Sequence, residues 1–235
     1  MTYEEFKSGV DEYIGLVDKG LKKQANKLLF EFADSFKANV PEVEADGILY
    51  QFCCDILEDG GYPRFREFGF RGTSQLPFQL SGLVFDYLMR ECDRNKMPQM
   101  RWEYQLFGKY CNPHDPKNEH SPYEILERAY RHPECDQLTV DLYFNAQLDE
   151  LGFGAHHFPE GCCIAREYYE ECVGICEKIL AEKEVHDGLA AEFRYYKALY
   201  ELWYKWNDGG RVGDFGELCG QEGLEFAPVK AFYYN

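Results

Sequence analysis

Apolar residues return at intervals of three and four along most of this chain, and that period leaves little room for anything but helix. Phe6, Val10, Tyr13, Ile14 and Val17 make one stripe, closed by Gly20, and Leu21, Ala25, Leu28, Leu29, Phe32 and Phe36 begin the next at once. Side chains three and four apart share one face of a helix, so each stripe needs a neighbour to bury it. Two such stripes joined by a glycine predict an antiparallel helical hairpin.

The pattern then recurs. Pro41 opens a third helix through Leu49, Phe52, Cys53 and Ile56, closed by Gly60-Gly61. Leu80, Val84, Tyr87, Leu88 and Glu91 predict a fourth, and after Met97-Pro98 the set Met100, Tyr104, Phe107 and Cys111 predicts a fifth. Ser121-Pro122-Tyr123-Glu124 supplies an N-cap, a proline at the first position and the Glu of a capping box for a sixth helix, which ends before Pro133. Asp136 caps a seventh with the stripe Val140, Phe144, Leu148 and Leu151, and Gly152 reads as its stop. An eighth carries Ile164, Tyr168, Cys172, Ile175, Cys176 and Ile179. A ninth carries Leu189, Phe193, Tyr196, Leu199, Trp203 and Trp206, ahead of Gly209-Gly210.

Three stretches break the period. From Tyr62 to Pro77 the chain reads as a loop or short extended piece, and Asn112 to His120 is polar and proline-punctuated. Between the seventh and eighth helices lies the elbow Gly152-Phe-Gly-Ala-His-His-Phe-Pro-Glu-Gly-Cys-Cys163, expected to set how the helix pairs on either side stack. The last 25 residues end in Ala-Phe-Tyr-Tyr-Asn, too apolar for a free tail, so they are expected to pack back on the body.

The expected fold is therefore all-α, about nine helices in stacked antiparallel hairpins forming one domain over 1–235. Within it 1–60, 77–210 and 211–235 are the natural subdivisions. Hairpins beginning near Pro77, Ser121 and Glu160 are 44 and 39 residues apart, a period suited to an α-solenoid of the tetratricopeptide or HEAT kind. Gly174, Ala181, Ala190, Ala191 and Ala198 among large aromatics resemble tetratricopeptide-type packing. The full consensus of that repeat is absent and no family is assigned.

Charge narrows the function. The 235 residues hold 25 Lys and Arg against 42 Asp and Glu, a net charge of -17. Nucleic-acid affinity comes mainly from cations neutralising phosphates, so a polyanion is an unfavourable partner, whereas a basic protein would be steered in quickly. No apolar run approaches the ~18 residues of a membrane-spanning helix. The opening Met-Thr-Tyr-Glu-Glu-Phe shows neither a basic n-region nor an apolar h-region, so a cytoplasmic setting is expected. The ten cysteines, several mid-helix or adjacent, then read as reduced, mostly buried small residues.

Reactive motifs are sparse. His156 and His157 with Cys162 and Cys163 are the candidate metal ligands, but neither Cys-x2-Cys nor His-Glu-x2-His spacing supports them, so no metal and no cofactor are expected. Cys111, His114 and His120 form a second group without a known spacing. No Ser sits in a Gly-x-Ser-x-Gly elbow and no phosphate-cradling glycine loop occurs. The candidate partner-binding residues are Arg64, Phe65, Arg66, Phe68, Phe70 and Arg71 in the first loop, with His156, His157 and Phe158 in the elbow. Arginine and aromatic side chains concentrate binding energy at interfaces. The expected function is a non-catalytic protein-binding module, of an immunity or adaptor type, for a basic partner, with oligomeric state open. The alternatives are a metal-assisted hydrolase using the His156/His157 elbow, and a peptide receptor using a helical groove.

Overall fold

A computed structural model describes residues 1–62, 65, 76–108 and 121–227, and every regular element among them is a helix. The contacts divide the chain into two compact units, Met1–Glu134 and Cys135–Asn235.

The first unit contains α1 (Tyr3–Asp18), α2 (Lys22–Asn39), α3 (Glu42–Leu57), α4 (Phe78–Asp93), α5 (Gln99–Phe107) and α6 (Pro122–Tyr130). A reciprocal capping box starts α1. The Thr2 hydroxyl accepts from the Glu5 amide at 3.3 Å, and the Glu5 carboxylate accepts from the Thr2 amide at 2.7 Å. Gly20 adopts φ +77° after α1, a left-handed conformation that a side chain would resist, so α1 and α2 close into the expected hairpin. Phe6, wholly buried, sits where three helices meet, its ring 5.2 to 5.3 Å from those of Phe32 and Phe36 on α2 and Phe52 on α3.

Arg90 near the end of α4 pairs at 2.5 Å with Asp46 near the start of α3, which orients these helices antiparallel. On α5, Arg101 and the Trp102 indole both donate to one oxygen of Glu58, at 2.7 and 2.5 Å. Ser121 caps α6 as expected, accepting from the Glu124 amide at 3.3 Å with Pro122 in the first turn. Arg128 of α6 donates to the Cys92 carbonyl at 2.6 Å and ties α6 to the end of α4. Cys111, in the expected fifth-helix stripe, lies outside the described residues.

The second unit contains α7 (Gln137–Ala155), α8 (Arg166–Glu182), α9 (Asp187–Asp208) and α10 (Phe215–Gln221). Asp136 caps α7 as expected, accepting from the Thr139 amide at 2.8 Å. The stripe predicted for α7 is too narrow, because Leu142 to Leu148 are buried without a break. The helix packs against both α8 and α9, which covers most of its positions, while Asp141, Asp149, Glu150 and Phe153 keep some exposure. The ninth helix, α9, packs chiefly on α7 and only secondarily on α8.

Gly152 does not stop α7, which continues through Gly154 to Ala155. On α8 the buried stripe is Tyr169, Cys172, Cys176 and Ile179, a spacing of three, four and three, while Tyr168 turns outward. The short α10 goes beyond the nine helices expected. Asp214 caps it by accepting from the Glu217 amide at 2.8 Å. Beyond it the chain folds back: Leu224 donates to the Cys219 carbonyl, Tyr195 donates to the Glu225 carbonyl, and the Phe226 ring meets Phe215 at 5.1 Å. The terminal Ala-Phe-Tyr-Tyr-Asn lies outside the described residues. Among those described, no helix is long and apolar enough to cross a membrane, and all nine cysteines are unpaired.

Candidate interaction surface

The elbow after α7 is built from the inside out. Phe158 is 1% exposed and stacks flat on Trp203 of α9, with ring centroids 4.7 Å apart and planes 1° from parallel. Its edges meet Tyr200 and Phe215 at 5.0 and 6.2 Å, and the Trp203 indole donates to the Pro159 carbonyl at 3.0 Å. Burial of so much aromatic surface pins the elbow to α9. Phe158 therefore belongs to the core, which corrects the expectation that it meets a partner.

Glycine is needed here for space. A Cβ on Gly152 would come within 2.9 Å of the Tyr196 hydroxyl, and one on Gly154 within 2.0 Å of the Tyr200 hydroxyl and 2.6 Å of Ile164. The α9 tyrosines fill the room these glycines leave, which is why α7 runs on through them. The Tyr200 hydroxyl donates to the Leu151 carbonyl at 2.9 Å, and burial, with the Cys162 thiol beside it, pushes its pKa well above the usual tyrosine range.

Next to it Tyr169 stacks on Tyr200 at 4.5 Å. The Tyr204 hydroxyl is out of solvent with no hydrogen bond of good geometry, and burial, then Cys162, pushes it up to about 12. The Arg166 guanidinium lies 4.0 Å over the Tyr204 ring, opposes that rise, and pairs with Asp208 at 2.8 Å.

What this core presents outward is a small polar-aromatic surface. Phe153 is 60% exposed, His156 is exposed and forms the C-cap of α7, and His157 is half-buried with its ring 5.2 Å from that of His156. Cys162 faces the tyrosines and Cys163 is exposed. The two histidines thus come together, but no group of three or more His, Cys, Asp and Glu able to hold a metal ion occurs among the described residues.

Along α8 the outward positions include Glu167, Tyr168, Glu170, Glu171 and Glu177. Residues 135–235 hold 19 acidic and 8 basic side chains, against 23 and 17 in residues 1–134. The second unit therefore carries most of the net negative charge.

Of the first-loop candidates, Phe65 is 4% exposed, stacked on Tyr62 at 5.5 Å and edge-on to Phe52 at 6.4 Å. It is a core ring of the first unit, a second correction to the partner-contact set. Arg64, Arg66, Phe68, Phe70 and Arg71 lie outside the described residues, as do Cys111, His114 and His120. Sequence reasoning missed Phe153, Tyr169, Tyr200 and Tyr204. The spacing around Tyr169 was legible, whereas the outward turn of Phe153 depends on which face of α7 is covered last. No family model, curated protein or solved structure matches this chain.

Proposed function

We propose that this protein is a non-catalytic binding module of the cytoplasm that captures a basic protein partner, in the manner of an immunity protein or adaptor. The observation that carries this reading is the charge of the second unit, with Glu167, Glu170 and Glu171 exposed along α8. Such a field raises the encounter rate with a cationic surface and falls off within about 8 Å at physiological salt. Exposed aromatics in the same unit, Phe153 and Tyr168, supply the desolvated contacts that charge alone lacks. Its unpaired described cysteines suit a reducing compartment. Stacked helical hairpins are a kind of frame that commonly holds other chains.

The test is affinity capture from a native lysate with wild-type bait and with a Glu167→Gln/Glu170→Gln/Glu171→Gln bait, followed by association kinetics on the purified partner. The reading expects a basic partner, depleted by the triple substitution, whose on-rate drops at least about tenfold from low to high salt. A neutral or acidic partner, or an on-rate indifferent to salt, overturns it.

A further inference from the structure

The second unit carries a cleft of about 280 Å³ between α9 and the strap of chain that follows α10. Ala198, Glu201, Leu202 and Lys205 stand at i, i+3, i+4 and i+7 on one face of α9 and form the first wall, and Glu222 and Leu224 form the second. Two hydrogen bonds fix the strap: the Leu224 amide donates to the Cys219 carbonyl at 2.8 Å, and Tyr195, three residues before Ala198, donates to the Glu225 carbonyl at 3.0 Å. The neighbouring positions of α9 are taken, with Tyr200 stacked on Tyr169 and Trp203 on Phe158.

The floor is apolar and the rim is charged. Leu202 is 7% exposed, with Ala198 and Leu224 half-buried beside it, whereas Glu201, Lys205 and Glu222 are exposed. The fold itself does not answer the two carboxylates. Among the described residues none of the three rim groups is in an ion pair, and α10 has no basic residue in its last turn. Lys197, one turn before Glu201, is engaged by Glu177 at 2.6 Å. Two acids against one cation leave the rim negative, within a unit that is itself acid-rich.

We propose that this cleft receives an arginine side chain of the basic protein partner. The methylene stem lies on Ala198, Leu202 and Leu224, and the guanidinium meets the Glu201 and Glu222 carboxylates from the two walls. A guanidinium carries donors on more than one edge and can serve two carboxylates at once, whereas a compact cation would leave the apolar floor uncovered. A cavity of about 150 Å³ accommodates benzene, so this one admits a single long side chain. Lys205 opposes the incoming charge, and its exposed head turns to solvent as the arginine enters. The inference rests on the reading of a basic partner and deepens it: the charge of the unit steers the partner in, and this cleft grips it.

The probe is the end-blocked pentapeptide Ala-Leu-Arg-Leu-Ala, titrated into the full chain under methyl NMR beside the same peptide carrying citrulline, the neutral isostere of arginine. The arginine peptide is expected to shift the Leu202 and Leu224 methyls saturably, with the citrulline peptide binding at least about fivefold more weakly. Glu201→Gln/Glu222→Gln is expected to erase that preference, and Lys205→Gln to tighten the arginine peptide about twofold to threefold. Absence of saturable shifts at these methyls, equal binding of the citrulline peptide, or weaker binding by Lys205→Gln overturns the proposal. The peptide pair needs no variant and decides the matter even where a substitution disturbs folding. Failure here, with a basic and salt-dependent partner still captured, removes the cleft alone; a captured partner that is neutral or acidic removes the reading on which the cleft rests.

Discussion

Tyr200 occupies the space that Gly154 leaves open: a Cβ at 154 would lie 2.0 Å from the Tyr200 hydroxyl, which donates to the Leu151 carbonyl at 2.9 Å. Missing side chain and inserted phenol are thus one device, locking α9 against the last turn of α7. Gly154→Ala should destabilise the second unit by about 1 to 3 kcal/mol through overpacking. Tyr200→Phe should cost about 1 kcal/mol for the lost buried hydrogen bond. The methyl that Gly154→Ala introduces meets a hydroxyl that Tyr200→Phe removes. The double variant should therefore lose less than the sum of the two, as urea denaturation of all four proteins would show. Strict additivity would mean that the two positions do not meet.

Phe158 and His156 sit two residues apart in the elbow yet should respond oppositely to truncation. Phe158→Ala removes a fully buried ring stacked on Trp203 and should cost about 3 to 5 kcal/mol, with a change in tryptophan emission. His156→Ala, on the outside, should stay within about 0.5 kcal/mol of wild type. Comparable losses from the two would contradict the division between inner ring and outer imidazole.

Glu58 accepts from both Arg101, whose side chain is 3% exposed, and the Trp102 indole. Glu58→Ala should therefore destabilise the first unit by about 2 kcal/mol, since it withdraws the acceptor from two buried donors at once. Thermal melts of Glu58→Ala beside an exposed control such as Glu31→Ala would measure the difference.

Alkaline pH should unfold this protein through its buried thiols. Burial foremost pushes Cys172 and Cys219 from 9.0 up to about 11, so the folded state favours the neutral thiol. The unfolded chain ionises first, at its ordinary thiol pKa. The stabilising contribution is thus whole below about pH 9 and drains away as pH rises toward about 11. Melting temperature should fall over that window, less steeply in Cys172→Ala. A flat profile across it would refute the thiol linkage.

Nine of the helices were legible because their stripes repeat at a helical period and their ends carry Gly, Pro, Ser or Asp in capping positions. The capping box at Thr2 and Glu5 was not among the features read, although its hydroxyl and carboxylate satisfy amides of the same short stretch. The tenth helix is only seven residues long and left no stripe to find, though Asp214 three residues before Glu217 marked its start. The elbow's position was visible in its glycines and proline, but its inside and outside were not. Phe158 and Phe153 are the same residue type five positions apart, and nothing local separates the ring that stacks on Trp203 from the one left 60% exposed.

The sequence by itself determined what period and charge determine: an all-helical chain, hairpins at the glycine turns, and an acid-rich surface. These are properties of residues within one or two turns of each other, or of the whole count. Tertiary structure alone decided that Leu142 to Leu148 of α7 are buried without a break, that Gly152 and Gly154 make way for tyrosines two helices further on, and that Arg101 and Trp102 converge on one oxygen of Glu58. Each of these depends on which side chains from distant segments compete for one volume, and a volume is shared only after the helices have packed.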